Sequence, residues 1–403
     1  MGEAYIVAAG RTAGGRKGGR LSGVHPADLA GEVLKALVAR TGADPATVED
    51  VIMGCVSQGG EQAVNIARNA VLASGFPESV PATSVDRQCG SSQQSLHFAA
   101  QAVMSGAMDC VIAAGVESMS RVPMGSPSIL ALKAGMGNYM SPNMQERYPN
   151  IQFSQFAGAE MIARKYGFTK DQLDEWAYGS HMKAIAATKG GYFDGEIVPV
   201  EITTAEGKTE SHVVDEGIRF EASLEGIKGV KLLVEGGTVT AATSSQICDG
   251  ASGVMVVNEA GLKRLGVAPL ARIHHMTVTA GDPVIMLEEP VFATQKALKK
   301  AGMSINDIDL YEVNEAFAPV PLAWLQGNDA DPAKLNISGG AIALGHPLGG
   351  SGAKLMATLV HNLRRTGKRY GRIALDLADD GLGVIVQAHV HGGGYGVGGQ
   401  AVD

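Results

Sequence analysis

The spacing of apolar residues predicts helices that alternate with buried strands over the first 120 residues. Residues 26–40 carry Leu and Val at helical spacing, and residues 51–56 form a short apolar run typical of a buried strand. The same patterns predict further helices at 62–74 and 95–106 and further strands at 82–85 and 111–114. Such alternation is typical of a mainly parallel sheet covered by helices, so we predict an α/β fold.

The composition of the chain changes after about Ser120. Residues 124–143 are rich in Gly, Pro, Ser and Met, and clearer helices are predicted at 157–166 and 170–188. Flexible methionine side chains suit irregular apolar surfaces. This inserted segment is therefore either part of a binding pocket or a plain helical addition, and composition favours neither.

The second half of the chain repeats the layout of the first. DIDLYEVNEAFA (307–318) parallels VEDVIMGCV (48–56), and RIALDLAD is a rough partner of DCVIAAG. Between them, NISGGAIALGHPLGGSG parallels SVDRQCGSSQQ, each predicted as a short strand, a turn of small residues and a helix. We therefore expect two similar halves whose turns face a shared cleft, with Cys89 and His346 in matching places.

Length and charge narrow the class of protein. A chain of 403 residues with 54 glycines, 45% apolar and 5% aromatic residues favours tightly packed α/β structure in two or three domains. The net charge of −8 gives no general attraction to nucleic acid or anionic membranes. No apolar run approaches the roughly 18 residues of a membrane span, and the N-terminus lacks the order of a signal peptide. We expect a cytoplasmic protein.

The four cysteines are scattered, without the pairs that zinc sites or disulfide frameworks need. Cys55 and Cys110 lie in apolar runs and are interpreted as buried fillers. Cys89 instead lies between an arginine and small residues, where a strand is predicted to become a helix. Backbone N–H groups and the helix dipole at such a turn favour the thiolate form and could bind the oxyanion of an attacked carbonyl.

His346 and NEAFA (314–318) add candidate chemistry. In ALGHPLGG, glycines let the backbone approach a ligand closely, and a histidine there can activate a thiol or protonate a leaving thiolate. Asn314 and Glu315 supply an amide and a carboxylate after a strand, a pair that is also typical of a helix cap. The pairing of His346 with the Cys89 turn favours catalysis over packing.

Other motifs give weaker interpretations. GGSGAKL lacks the Walker spacing, and Leu355 stands where Ser or Thr would hold magnesium. GYGVGG near the end fits the dinucleotide spacing, but no helix can follow it. His274 and His275 are interpreted as strand residues with ordinary hydrogen bonds. We therefore predict neither a metal site nor a nucleotide cofactor.

The ordered motifs RTAGG, VDRQCGSS, VESMS, SSQICDGAS, NEAFA and GGAIALGHPLGGSG resemble those of the thiolase family, the acyl-CoA C-acetyltransferases, over nearly the whole chain. The resemblance implies a five-layered αβαβα fold and a homodimer or homotetramer. It implies an N-terminal half of 1–120 plus 244–267, a CoA-binding loop domain of 121–243 and a C-terminal half of 268–403. CoA and acyl-CoA are then substrates, with no permanently bound cofactor.

The resemblance also implies roles for individual residues. Cys89 takes the acyl group, His346 activates it, and Asn314 holds a water that stabilises the thioester oxyanion together with His346. In the coenzyme A site, Arg219 lies beside the adenine-nucleotide end and Ser245 near the pantetheine. Ala316 and Phe317 line the same channel.

This chain departs from the family at the second catalytic cysteine, which normally moves the proton at the substrate α-carbon. No cysteine follows Cys248. One alignment puts Val390 in its place, between His389 and His391. The other puts Leu377 there, makes VIVQAHV the final strand, and is slightly preferred. A tail altered by a frameshift is a further alternative for residues 371–403.

Three functions were therefore compared. The leading one is a thiolase that cleaves 3-ketoacyl-CoA or condenses two acyl-CoAs, resembling degradative bacterial members, including those acting on bulky steroid-derived acyl chains. The second is a thiolase-like acyl-CoA-binding protein with impaired turnover, because the C-terminal cysteine is absent. The third is a condensing ketosynthase, which NEAFA argues against.

Overall fold

The computed structural model describes residues 2–204, 206–377 and 380–389. The helices are α1 (Pro26–Thr41), α2 (Ile66–Ala73), α3 (Ser91–Ser105), α4 (Ser126–Lys133), α5 (Pro142–Arg147), α6 (Gln155–Tyr166), α7 (Lys170–Lys189), α8 (Leu224–Lys228), α9 (Glu259–Leu265), α10 (Glu289–Ala301), α11 (Pro319–Asn328), α12 (Ala341–Leu344) and α13 (Ser351–Thr366). The strands are β1 (Tyr5–Thr12), β2 (Gly15–Arg16), β3 (Asp50–Gly54), β4 (Ala82–Val85), β5 (Cys110–Ser118), β6 (Ile197–Val198), β7 (Val200–Thr203), β8 (Thr209–His212), β9 (Cys248–Val257), β10 (Ala271–Ala280), β11 (Leu310–Val313), β12 (Tyr370–Leu377) and β13 (Asp380–Ala388).

The main strands follow the order β11-β12-β13-β10-β1-β9-β5-β3-β4. Within the first half, β3 is parallel to β5, β5 is antiparallel to β9, and β9 is antiparallel to β1. Within the second half, β11 is parallel to β12, β12 is antiparallel to β13, and β13 is antiparallel to β10. The two halves therefore share one strand order, which the repeat in the sequence predicts. They meet through a short pairing of β1 with β10.

Helices and sheet form the five layers of the predicted αβαβα fold. Helices α1 and α2 cover the outer face of the first half, and α10 covers the outer face of the second. Helices α3 and α13 pack against each other between the two halves, so they form the central layer. Apolar cores fill the spaces between the outer helices and the strands and around the central pair.

The central layer explains why the predicted start of α3 is wrong. The helix begins at Ser91 rather than Ser95, and its first turn carries serines and glutamines that are all buried. Because these polar residues are enclosed by helix α13 and the strands, burial here does not follow apolar spacing. The outer helix α1, by contrast, matches its prediction to one residue and ends at Gly42, whose φ of 65° suits a glycine C-cap.

The strand predicted at the start of NISGGAIALGHP is also wrong. Only Leu335 forms a bridge with Tyr311, and no strand is assigned to the described residues 335–340. The Asn336 side chain instead accepts from the Val313 N–H at 2.9 Å and donates to the Val313 carbonyl at 2.9 Å. One amide side chain thus takes over the backbone bonds that a paired strand would make.

Candidate functional site

Cys89 lies in the turn between β4 and α3. Gln88 before it has a φ of 46°, a left-handed conformation that non-glycine residues rarely adopt and that is often retained at functional turns. The Ser91 hydroxyl holds the turn, because it accepts from the Arg87 N–H at 2.9 Å and donates to the Gln88 carbonyl at 2.5 Å. Cys89 is half-buried at the start of the helix, as predicted for a nucleophile.

The other cysteines are buried and differ from Cys89 in their setting. Burial raises the pKa of Cys110 and of Cys248 to about 12, and it raises the pKa of Cys55 further. These three groups are therefore thiols at neutral pH and poor nucleophiles. For Cys55 and Cys110 this agrees with their interpretation as buried fillers.

His346 is 4% exposed and lies in the loop before α13. Its Nδ1 is 2.5 Å from the Ser351 hydroxyl, which also donates to the Pro347 carbonyl at 3.2 Å. A hydroxyl that donates to a carbonyl accepts from the ring, so we assign the proton to Nδ1 and the lone pair to Nε2. Nε2 has no hydrogen-bond partner among the described residues.

The imidazole of His346 is uncharged at physiological pH. Burial, and secondly the nearby Lys354, lowers the pKa of the imidazole to about 3. The ring is therefore neutral at physiological pH and can accept a proton at Nε2. Ser351 fixes the tautomer that makes this atom available.

The two turns that carry Cys89 and His346 meet at one end of the central layer. The Ser92 hydroxyl at the start of α3 accepts from the Ala353 N–H at the start of α13, at 3.0 Å. Gly352 lies so close to α3 that a Cβ there would be 2.4 Å from the Gln93 nitrogen. The helix starts are thus side by side, as the matching places of Cys89 and His346 predict.

A cleft of about 90 Å³ opens beside His346. Ser245, Ala316 and Phe317 line this cleft, as does Met124 from the segment that follows residue 120. The Ser245 N–H donates to the Ala316 carbonyl at 2.8 Å, which holds the two loops together. Because Met124 lines the cleft, the inserted segment contributes to a pocket and is not only a helical addition.

Asn314 lies across a small cavity from Ser351. It is 1% exposed, and its N–H donates to the Ala374 carbonyl at 3.1 Å. A cavity of about 10 Å³, lined by Asn314 and Ser351 among others, separates β11 from α13. The structure therefore brings Asn314 close to the residue that orients His346.

Arg219 is exposed and is not among the residues that line the cleft. Its loop nevertheless lies beside the cleft, because the Gln246 side chain donates to the Gly217 carbonyl at 2.7 Å. The Arg219 N–H donates to Nδ1 of His181 at 3.3 Å. Arg219 thus belongs to a loop that contacts the segment of Ser245 and Gln246.

Of the two candidate positions for the missing cysteine, one lies within the described residues. Leu377 ends β12, three residues beyond Ala374, so its backbone is at the same sheet edge as Asn314. Strand β13 contains residues 384–388 of VIVQAHV, as the Leu377 placement predicts. Val390 and His391 lie outside the described residues.

His389 is at the opposite end of β13. Its N–H donates to the Leu270 carbonyl at 3.0 Å, and its ring lies 6.3 Å from that of Tyr5. Nine residues of strand separate it from Asp380, roughly 30 Å at the rise of an extended chain. This position does not support a role for His389 in place of the missing thiol.

Sequence reasoning missed Ser351 and several apolar residues of the cleft, among them Met119, Phe156 and Leu348. Ser351 follows His346 by five positions, and this spacing does not by itself predict a contact between them. The contact becomes predictable only once the loop between the two residues is known to turn back. Within the described residues no cluster of three metal-ligating side chains occurs. No described helix is both long and apolar enough to cross a membrane.

Comparisons with known proteins agree with this geometry. A family model described as the thiolase N-terminal domain matches residues 4–260, and one described as the thiolase C-terminal domain matches residues 267–388. The chain is 49% identical to a protein of Mycobacterium tuberculosis named steroid 3-ketoacyl-CoA thiolase FadA6, over 92% of this chain and 90% of that one. It is 42% identical to a 3-ketoacyl-CoA thiolase of Pseudoalteromonas translucida, over 92% and 95% of the two chains.

Solved structures are similar over nearly the whole chain. A Bacillus anthracis acetyl-CoA acetyltransferase superposes with a TM-score of 0.88 at 35% identity, over 96% of this chain and 99% of that one. Human mitochondrial 3-ketoacyl-CoA thiolase superposes with a TM-score of 0.87 at 37% identity, over the same shares. These names support thiolase function rather than the alternative of an impaired acyl-CoA-binding protein.

Proposed function

The chain belongs to the thiolase family, and on that premise we propose how its residues carry out acyl transfer. The protein is an acyl-CoA C-acyltransferase, which moves an acyl group between an enzyme thioester and coenzyme A while it cleaves a 3-ketoacyl-CoA or joins two acyl-CoAs. The observation that carries the proposal is the neutral His346, with its Nε2 acceptor at the cleft and its helix beside the Cys89 turn.

Cys89 is the nucleophile in this proposal. His346 Nε2 takes the proton of the Cys89 thiol, and the sulfur attacks the substrate carbonyl to form a tetrahedral oxyanion. When this intermediate collapses, the acyl group stays on Cys89 as a thioester. From an acyl-CoA the C–S bond breaks, and the CoA thiolate that leaves takes back the proton from His346. From a 3-ketoacyl-CoA the bond between C2 and C3 breaks, and the shortened acyl-CoA leaves as an enolate that is protonated at its α-carbon. Asn314 contributes to oxyanion stabilisation through a bound water, and CoA later takes the acyl group from Cys89.

Coenzyme A binds along the cleft as a substrate, and no permanent cofactor is proposed. Ser245, Ala316 and Phe317 contact the pantetheine arm, since all three line the cleft beside His346. Arg219 reaches the adenine-nucleotide end from outside, where an acidic protein must meet phosphates with local positive charge. Residues 121–243, which form the predicted loop domain, supply Arg219 and part of the cleft wall.

The acyl group is proposed to be bulky and apolar. The cleft is walled by Met119, Met124, Phe156 and Leu348, and Phe156 packs edge-on against Phe317 with ring centroids 5.3 Å apart. Flexible methionines adapt to irregular apolar shapes. The name of the mycobacterial relative supports a steroid-derived acyl chain and the degradative direction.

The assembly and location follow the family in this proposal. A cytoplasmic homodimer or homotetramer is expected, divided into halves of 1–120 plus 244–267 and of 268–403 around the loop domain. Light scattering of the purified protein separates the two oligomers by mass.

The experiment that tests the central step is adduct mapping. The protein is incubated with acetyl-CoA or a 3-ketoacyl-CoA, digested and analysed by mass spectrometry. We expect the acyl mass on the peptide that contains Cys89, and none in the Cys89→Ala variant. An adduct on Cys55, Cys110 or Cys248 contradicts the proposed nucleophile.

A further inference from the structure

Glu117 holds the two halves of the protein together beside the site. It lies near the end of β5 and is fully buried. Its Oε2 accepts from the Val56 N–H at 2.9 Å and from the Gly349 N–H at 3.0 Å. Its Oε1 accepts from the Ser57 N–H and from the Gln62 side chain, each at 3.0 Å.

These bonds connect the segments that carry the two proposed catalytic groups. Gly349 follows His346 by three residues, in the short 3₁₀ turn before α13. On the other side, the Cys55 N–H donates to the carbonyl of Val85 at 3.0 Å, the last residue of β4 before the Cys89 turn. One carboxylate therefore lies between the backbone that leads to Cys89 and the backbone that leads from His346.

The contact is made where there is no room for side chains. A Cβ at Gly115 would lie 2.3 Å from the Gly349 carbonyl oxygen, and a Cβ at Gly54 would lie 2.7 Å from it. A Cβ at Gly349 itself would lie 2.6 Å from the Cα of Cys55. Backbone thus packs on backbone across the two halves, and Glu117 satisfies the N–H groups that this approach buries.

We propose that Glu117 is a positioning residue that sets the distance between the Cys89 thiol and the His346 imidazole by bonding both supporting loops at once. The proposal rests on the proposed roles of Cys89 and His346 and adds the group that fixes their spacing. Glu117 is not among the residues that line the cleft.

A carboxylate is required because four N–H donors converge on it and it carries no hydrogen of its own. Glutamine has the same shape, but its amide group would direct hydrogens at two of these donors. The loops must then separate, and a displacement of about 1 Å in a reacting group can cost on the order of 10²-fold in rate. We expect Glu117→Gln to lower kcat about 10- to 100-fold while KM for CoA changes less than threefold.

The decisive readout is the pH dependence of Cys89 alkylation by iodoacetamide. In the wild type, the Cys89 thiolate and a protonated His346 stabilise each other once the proton has moved between them, so the alkylation midpoint should lie below that of His346→Ala. Glu117→Gln should move the midpoint toward that of His346→Ala. In a variant that combines both substitutions, the midpoint should equal that of His346→Ala alone, because the effect of Glu117→Gln passes through the imidazole.

Glu160→Gln is the matched control. Glu160 accepts from the Thr238 N–H and hydroxyl and from the Val239 N–H, all within one segment and remote from the contact of the two halves. The Glu160→Gln variant should have a lower melting temperature and an unchanged pH midpoint for Cys89 alkylation. If Glu117→Gln does not fold, Glu117→Asp retains the charge but retracts it by one methylene, and the same midpoint shift is expected.

The outcomes separate this inference from the proposed function. If His346→Ala leaves the alkylation midpoint unchanged, the imidazole does not assist the ionisation of Cys89, and the proposed function itself is overturned at this step. A midpoint that responds to His346→Ala but not to either Glu117 variant overturns only the positioning role. The positioning role is also overturned if Glu160→Gln moves the midpoint as far as Glu117→Gln does, because the shift then reflects a general loss of stability.

Discussion

Ser351→Ala tests the tautomer on which the base depends. Ser351 is 3% exposed, accepts the Nδ1 proton of His346 and donates to the Pro347 carbonyl. Alanine removes the hydroxyl that accepts this bond, so the Nδ1–H of His346 is left buried without an acceptor. The imidazole can then rotate or shift its proton to Nε2, and in that tautomer it cannot take the thiol proton.

The magnitude follows from the cost of an unsatisfied buried group. Leaving one buried donor without a partner costs about 1–3 kcal/mol. If most of this cost appears in the acylation step, kcat falls roughly 5- to 150-fold, since each 1.4 kcal/mol is a factor of ten. KM for CoA should change little, because Ser351 is not part of the cleft wall.

The assay is the steady-state exchange of acyl groups between acetyl-CoA and labelled CoA, followed over pH. Ser338→Ala is the control, because Ser338 is also fully buried and its hydroxyl donates to the Asn362 side chain at 3.0 Å rather than bonding His346. Both variants should lose a similar amount of stability, and only Ser351→Ala should lose kcat. A Ser351→Ala enzyme that keeps kcat within twofold would refute the assignment of the Nδ1 proton.

Three further outcomes follow from the structure. Arg219→Ala should weaken CoA binding about tenfold in calorimetry, the cost of one charged hydrogen bond, while Cys89 alkylation and the Lys208→Ala control stay at wild-type values. His389→Ala should leave both exchange and thiolysis unchanged, because His389 lies at the far end of β13. Burial lowers the pKa of His97 to about 3, so the unfolded chain binds its proton between about pH 6.5 and 3 and the folded chain does not. The free energy of unfolding should therefore decrease as pH falls from 7 to 4, and His97→Gln should reduce that slope by about 1.4 kcal/mol per pH unit in urea titrations; an unchanged slope contradicts the buried neutral ring.

The outer elements of the fold are readable from the sequence, because their burial is one-sided. The predicted strand at residues 82–85 matches β4 residue for residue, and α7 matches its prediction to one residue. Helix α2 starts at Ile66, four residues later than predicted, because Asn65 adopts φ 57° and caps it. The central layer obeys no such rule, since every residue from 91 to 97 in α3 and from 351 to 360 in α13 is buried, polar ones included.

The candidate site divides in the same way. Cys89, His346 and Asn314 stand out in the sequence because small residues and turns surround reactive groups. Ser351 and Glu117 carry no such signal, because what they do depends on contacts between segments more than 200 positions apart or on a loop that folds back. Local pattern therefore finds the reactive groups, and packing reveals what holds them.

Leu377 raises the last question, because carbon–carbon bond chemistry needs an acid or base at the substrate α-carbon. Acylation of Cys89 needs only the nucleophile, His346 and an oxyanion site, so acyl exchange does not depend on residue 377. Losing a positioned acid or base typically costs about 10²–10⁴-fold. We therefore expect thiolysis of a 3-ketoacyl-CoA to be much slower than exchange on the same preparation.

Restoring a thiol distinguishes the two alignments of the tail. Leu377 ends β12 at the edge that carries Asn314, and the thiolase C-terminal family match ends at residue 388, before Val390. Leu377→Cys should thus raise thiolysis at least tenfold without changing exchange, and Val390→Cys should raise neither. Two results would contradict this reasoning: a thiolysis rate that already equals the exchange rate in the unmodified chain, or a gain in thiolysis from Val390→Cys alone. Either result would mean that another group moves the α-proton. The α-carbon of the substrate would then not lie at the sheet edge where Leu377 ends β12.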